Sequence, residues 1–138
     1  MGPDEGFHEH GGVDRLRHEG RPDPSMKDNE VLIRVRVCAL DHLDIWGRRG
    51  LPGIQIPLPH VSGSDICGDV VSAGELVSRV HIGDAVIVSP GLSCGMCEYC
   101  LSGWDSMCRS YKIIGYLVDG GYAELVSVPE VNVIPQPD

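Results

Sequence analysis

The stretch Cys94-Gly95-Met96-Cys97-Glu98-Tyr99-Cys100-Leu101-Ser102-Gly103-Trp104-Asp105-Ser106-Met107-Cys108 spaces four cysteines as C-x2-C-x2-C-x7-C. Four thiolates at such short intervals can close a tetrahedron around one Zn2+, with every coordination position filled by protein. A closed site shapes a loop and leaves no position for substrate, so the zinc expected at Cys94, Cys97, Cys100 and Cys108 is structural. Disulfides fit the pattern poorly. Neighbouring cysteines would close strained loops, Cys38 and Cys67 would be left as odd partners, and no N-terminal segment pairs a positive run with an apolar one. A redox C-x-x-C needs a βαβ setting and a helix N-terminus that depresses one thiol pKa, and residues 91–99 do not read that way. Gly95 and Gly103 suit the tight turns between ligands. Arg109 and Lys112, just beyond the last cysteine, either offset the negative excess of such a centre or are ordinary solvated cations.

Around this lobe the bulk properties set limits. A chain of 138 residues is one ordinary domain with room for a core. A net charge of −9 argues against nucleic acid or an anionic membrane face as partner, because neutralising phosphate needs clustered Lys and Arg. No apolar run approaches the roughly 20 residues needed to span a bilayer. The 18 glycines and 10 prolines, with aromatics at 5%, indicate short strands joined by tight turns, so the expected class is mainly β.

Working outward, residues 1–26 are rich in Gly, His, Pro and charge, and their order is weakly specified. Glu30–Cys38 is the clearest strand: Val31, Ile33, Val35 and Val37 share one face, and Arg34 and Arg36 the other. Asp41 stands where a helix N-cap would, which predicts a short helix to Arg49 with Leu43 and Trp46 on one side and Gly50 as the stop. Pro52, Pro57 and Pro59 keep the next stretch extended. Ile66–Ala73 and Ala85–Ser89 read as strands, joined through a turn at His81–Asp84. After the cysteine lobe, Gly120-Gly121 signals a turn, Tyr122–Val128 a strand and Val131–Ile134 a last short one.

These pieces resemble the medium-chain, zinc-containing alcohol dehydrogenase and quinone reductase superfamily. The cysteine spacing is similar to that family's structural zinc lobe, here about residues 91–112. Gly63-Ser64-Asp65-Ile66-Cys67-Gly68, Gly83-Asp84 and Gly120-Gly121-Tyr122-Ala123-Glu124 fall in the family's order. The resemblance implies an N-terminal, GroES-like, partly open β-barrel with an inserted zinc lobe and short helices. It also implies a cytoplasmic enzyme portion that transfers hydride between NAD(P)H and a small-molecule alcohol, carbonyl, enone or quinone, and it allows a homo-oligomer. Family enzymes bind the dinucleotide on a Rossmann domain. These residues contain no G-x-G-x-x-G between a strand and a helix, so that domain is missing from them and the chain is not expected to be active alone.

Zinc dehydrogenases of the family also use a second, catalytic zinc. By the resemblance its Cys ligand aligns with Asp41, in Ala39-Leu40-Asp41-His42-Leu43-Asp44, and its His ligand with Ser64, in Gly63-Ser64-Asp65. Ser is a very poor zinc ligand, and an Asp41/Asp65 pair is harder and weaker than Cys/His. The expected case keeps the structural zinc and has lost the catalytic one, with Asp41 a hydrogen-bonding group near substrate. A rearranged site using His42 or His60 is the minority case. Blander roles stand beside these: Asp41 as an N-cap only, Asp44 solvated, Cys38 and Cys67 as small buried hydrophobes, Trp46 and Trp104 in packing. The competing function is a non-enzymatic, zinc-stabilised GroES-like binding module.

Overall fold

The computed structural model describes residues 2–137. Its strands are β1 (Gly2–Phe7), β2 (Leu16–Arg21), β3 (Glu30–Ala39), β4 (His60–Val61), β5 (Asp65–Ala73), β6 (Ala85–Val88), β7 (Gly91–Leu92), β8 (Lys112–Ile113), β9 (Leu125–Pro129) and β10 (Val133–Pro135). The helices are α1 (His42–Arg49) and the four-residue α2 (Glu98–Leu101), with single 3-10 turns between. Every paired strand is antiparallel: a five-stranded sheet β10-β6-β5-β3-β9, a three-stranded sheet β2-β1-β4, and the ribbon β7-β8. The fold is therefore mainly β, as the composition implied.

The sheets do not close into a barrel. They meet along one seam, where Asp4 bridges Ala123 and the Glu5 N–H donates to the Tyr122 carbonyl at 2.7 Å. β2 and β10 remain edges. This is the partly open arrangement expected.

The core lies on one face of the five-stranded sheet. Val31 and Ile33 from β3, Ile66 and Val70 from β5, Val86 and Val88 from β6, Val126 and Val128 from β9, and Val133 from β10 are all buried. Each such side chain contributes about 1.5–3 kcal/mol by leaving water. The single-face reading of β3 fails at its end. Register shifts at Leu32/Ile33 and Val35/Val37 insert extra residues, so Val37 is 62% exposed while Cys38 turns inward against the core. A bulge changes which face a side chain takes, and no period in the sequence announces it.

Two further expectations are corrected. Residues 2–21, read as weakly ordered, form the β1–β2 hairpin, with cross-strand pairs such as Glu5↔His18. Met1 lies outside the described residues. Phe7, fully buried, anchors this hairpin against His60, with ring centroids 5.4 Å apart. Pro3, Phe7 and Leu16 are the only large apolar side chains on the hairpin's two strands and do not alternate with polar residues along either, so its pattern carries little signal. Val131, expected in the last strand, is exposed on a 3-10 turn, and the strand begins at Val133.

Candidate functional site

The cysteine lobe is built from the β7–β8 ribbon, which closes its base, and from α2 packed against the 3-10 turn Asp105–Met107. It brings the Sγ atoms of Cys94, Cys97, Cys100 and Cys108 within 4.8 Å of one another. Cys97 and Cys100 sulfurs stand 3.5 Å apart and Cys94 and Cys100 sulfurs 3.9 Å apart. Zn–S bonds of about 2.3 Å set tetrahedral sulfurs about 3.8 Å apart, so the cage fits a single zinc. A disulfide would need about 2.05 Å, and all the cysteines are free thiols.

Backbone donors already face the sulfurs. The Cys97 N–H points to Cys94 Sγ at 3.3 Å, and the Cys94 and Ser110 N–H groups point to Cys108 Sγ at 3.3 and 3.4 Å. Donors of this kind stabilise thiolates. The Cys97 thiol is brought down to about 6, first by the Cys100 N–H. Cys94 is lowered too, first by the Met96 N–H. Cys100 is pushed up to about 11 by burial and then by the sulfur of Cys97. Thiolates crowded in one cage repel one another, and a divalent cation would relieve that repulsion. Cys97 also stands at the N-cap of α2, a helix start that the sequence reading did not anticipate. Four converging sulfurs distinguish the cluster from an isolated redox pair. Arg109 pairs with Glu98 and lies over the Tyr99 ring, 5.9 Å from its centroid, so it is engaged within the lobe.

The second cluster surrounds the start of α1. Asp41 is the N-cap: its carboxylate accepts from the Leu43 N–H, and Asp44 reaches back to the Asp41 N–H at 2.9 Å, completing a capping box. Asp44, read as solvated, is the hub. One carboxylate oxygen accepts the Gly63 N–H at 3.1 Å, and the other accepts the Tyr122 hydroxyl at 2.6 Å as well as Asp41. It thereby ties α1 to the chain entering β5 and to the chain entering β9. Gly63 must be glycine here: its φ is +102°, and a Cβ would come 2.7 Å from Cys38 Sγ. Burial, then the Asp44 carboxylate, holds the Tyr122 phenol well above its usual value. Burial first, then Asp44, pushes Cys38 up to about 12, which keeps it an inert thiol.

The positions aligned with a catalytic metal do not converge. Asp65 opens β5 and is exposed, opposite Ala39, whereas the neighbouring Ser64 is buried at 4% exposure. Alternation along an extended chain sends the two to opposite sides. The Ser64 hydroxyl has no hydrogen-bond partner among the described residues. His60, weighed as a substitute ligand, is 1% exposed and bonds the Gly115 carbonyl at 3.1 Å, with burial holding its pKa down. His42 packs edge-on against Trp46. Among the described residues, no other group of three or more His, Cys, Asp or Glu donors comes together as the thiolates do. The donor set at Asp41, Ser64 and Asp65 does not fit a zinc ion.

Beside Asp44 opens a cavity of about 350 Å³ whose walls include Leu16, Leu40, Ile45 and Tyr122. The exposed lining is mainly apolar, although Glu5, Asp44 and Arg48 also border the cavity, a surface that suits an uncharged organic body. Cys67 faces away from the core, with Gln136 3.8 Å from its sulfur, which corrects its reading as a buried hydrophobe. Trp46 and Trp104 are also exposed, at 49% and 66%. Among the described residues, no helix is long and apolar enough to cross a membrane.

Comparison with known proteins matches residues 27–138 to the alcohol dehydrogenase GroES-like domain. An L-threonine 3-dehydrogenase of Rhizobium rhizogenes is 36% identical over 120 residues, which are 85% of this chain and 34% of that enzyme. Among solved structures, an NAD-dependent alcohol dehydrogenase superposes with a TM-score of 0.94 at 41% identity, over 98% of this chain and 39% of its own. A cobalt- and zinc-bound thermostable alcohol dehydrogenase from Pyrobaculum aerophilum superposes with a TM-score of 0.89 at 36% identity, over 97% of this chain and 40% of its own. The chain thus spans about a third of the length of the curated relatives it matches.

Proposed function

This chain belongs to the alcohol dehydrogenase GroES-like domain family, and from that premise we propose that it is the N-terminal catalytic portion of an NAD(P)-dependent oxidoreductase. In this reading hydride passes between NAD(P)H and a small organic substrate, and the dinucleotide is held by a Rossmann unit that these residues do not contain. The observation that carries the reading is the tetrathiolate cage seated on the antiparallel sheet. Cys94, Cys97, Cys100 and Cys108 hold one zinc, which fixes the lobe and takes no part in the reaction, since all four of its positions are filled.

The relatives are named for oxidising threonine or alcohols. An alcohol must lose a proton as its hydride leaves, and a catalytic zinc would lower the cost of that alkoxide. The donor set at Asp41, Ser64 and Asp65 supports instead the reduction of an enone or quinone. Hydride adds to the electrophilic carbon or ring of such a substrate and a proton follows from water, so a strong Lewis acid is not required. Asp44 fixes the Asp41 turn, and the adjoining apolar cavity offers an uncharged substrate a dry wall.

Metal analysis and turnover test this together. The zinc-loaded chain is expected to carry one zinc. A version joined to its dinucleotide-binding unit is expected to oxidise NADPH or NADH with enones or quinones, and the chain alone is expected to be inactive. Two tightly held zincs, or chelator-sensitive oxidation of simple alcohols, would reject the metal-free reading. A non-enzymatic binding module would hold the one zinc and turn over nothing.

A further inference from the structure

Where the β1–β2 hairpin meets β9 lies a second cavity, of about 310 Å³, on which the hydride-transfer reading makes no demand. It shares no lining residue with the cavity beside Asp44. Pro22, Pro24, Val61 and Leu125 give it apolar walls, and Asp4, Arg21 and Asp119 bring three charged side chains to the same space. Its volume is at the small end of the range for organic ligands.

Strand register explains the charges. Asp4 lies opposite Glu19 and Gly2 opposite Arg21, so Asp4 and Arg21 are diagonal neighbours on one face of the hairpin. Diagonal residues stand about 7–8 Å apart, a gap that a small molecule can bridge. Burial raises the Asp4 carboxyl above its usual range; Arg21 offsets this in part, and repulsion from Asp119, Glu19 and Asp23 adds to it. The Asp4 side chain has no hydrogen-bond partner among the described residues. The Arg21 side chain is only 24% exposed, and its one ion pair among the described residues is a long one, to Asp119 Oδ2 at 3.5 Å. The other oxygen of Asp119 already accepts the Val61 N–H at 2.9 Å. A guanidinium carries five N–H donors, and shielding them from water without acceptors is costly.

We propose that this cavity is a binding site for a free α-amino acid with an apolar side chain, its carboxylate on Arg21 and its ammonium on Asp4. A guanidinium grips a carboxylate through two parallel hydrogen bonds. The unpartnered Asp4 carboxylate, with the acid surplus around it, selects a cation close by. A peptide carries these two charges at opposite ends and cannot present both in so small a space, so a free amino acid is the class that fits. The proline and aliphatic walls take its side chain. The bridge between Asp4 and Ala123 fixes β1 against the chain entering β9, so the site is formed before a ligand arrives.

Calorimetric titration of the zinc-loaded chain with L-leucine tests this, beside isocaproate, which lacks the ammonium, and isoamylamine, which lacks the carboxylate. One L-leucine per chain is expected to bind, at least about tenfold more tightly than either half-molecule. Asp4→Asn and, separately, Arg21→Gln are each expected to weaken it at least about tenfold, as loss of one charged hydrogen-bonded contact does. Glu75→Gln, at an exposed site outside the cavity, is expected to change nothing. No binding of L-leucine at millimolar concentration, a half-molecule that binds as well, or binding that survives both substitutions overturns the proposal. Should the variants unfold, backbone amide resonances of the parent chain decide. L-leucine is expected to move those of Val61, Ala123 and Leu125 and to leave those of Ile87 and Ile134 in place, and any other pattern rejects the site. No cofactor or turnover enters the measurement, so its outcome is independent of the hydride-transfer reading.

Discussion

Replacing Asp44 with Ala removes the acceptor for three donors at once: the Asp41 N–H at 2.9 Å, the Gly63 N–H at 3.1 Å and the Tyr122 hydroxyl at 2.6 Å. A hydrogen bond to a charged group contributes about 1.5–3 kcal/mol when buried. Asp44 is half-buried, and the Tyr122 hydroxyl can turn to the Ala39 carbonyl at 3.2 Å, so the gross sum must be roughly halved. The expected cost is about 3 kcal/mol, a large part of a domain's typical 5–15 kcal/mol. With a urea m-value of about 2 kcal/mol/M, the unfolding midpoint of the zinc-loaded chain drops by about 1.5 M. Asp44→Asn keeps one carbonyl oxygen and should lose about half as much. Tyr122→Phe alone should cost about 1 kcal/mol, and in a double-mutant cycle with Asp44→Ala the pair should couple by at least about 1 kcal/mol. A midpoint for Asp44→Ala within about 0.5 M of the parent, or strictly additive effects of the two substitutions, would refute the assignment of Asp44 as the hub.

The remaining expectations concern pH and metal. Burial lowers the pKa of His60 from its usual 6.5, so the native state favours the neutral ring; this contribution is complete above pH 6.5 and is lost as pH falls below it. The Tyr122 phenol is raised above its usual 10, so its contribution is complete below pH 10 and is lost as pH rises beyond. Urea midpoints measured across pH should fall away on both sides, and His60→Gln and Tyr122→Phe should each flatten one limb. Cys108→Ser replaces the most buried thiolate with a far poorer zinc ligand. Competition with a colorimetric chelator should show zinc affinity lower by about a hundredfold or more, while hydrogen exchange in β3 and β5 stays slow, because the four cage sulfurs stand apart from the main valine and isoleucine cluster. Rapid exchange throughout the sheet would contradict that separation.

Much of this was legible in the chain. The C-x2-C-x2-C-x7-C spacing alone implied a cage, because short loops cannot carry four sulfurs far apart. The period of two from Glu30 to Ile33 marked strand β3, and Asp41 and Gly50 bounded α1 to the residue. The bulge that exposes Val37 was hidden, since inserting a residue changes facing without changing composition. The hairpin at residues 2–21 was hidden because its stability comes from Phe7 meeting His60, more than fifty residues along the chain.

Local sequence determined what depends on near neighbours: which residues alternate, which cap a helix, and which sulfurs lie close enough to share one ion. Only the tertiary structure decided that Asp44 joins residues from distant segments and that Ser64 is buried while its neighbour Asp65 is exposed. Such contacts arise when the chain's apolar faces are driven together, and their partners are set by the packing of whole sheets, which no short window of residues contains.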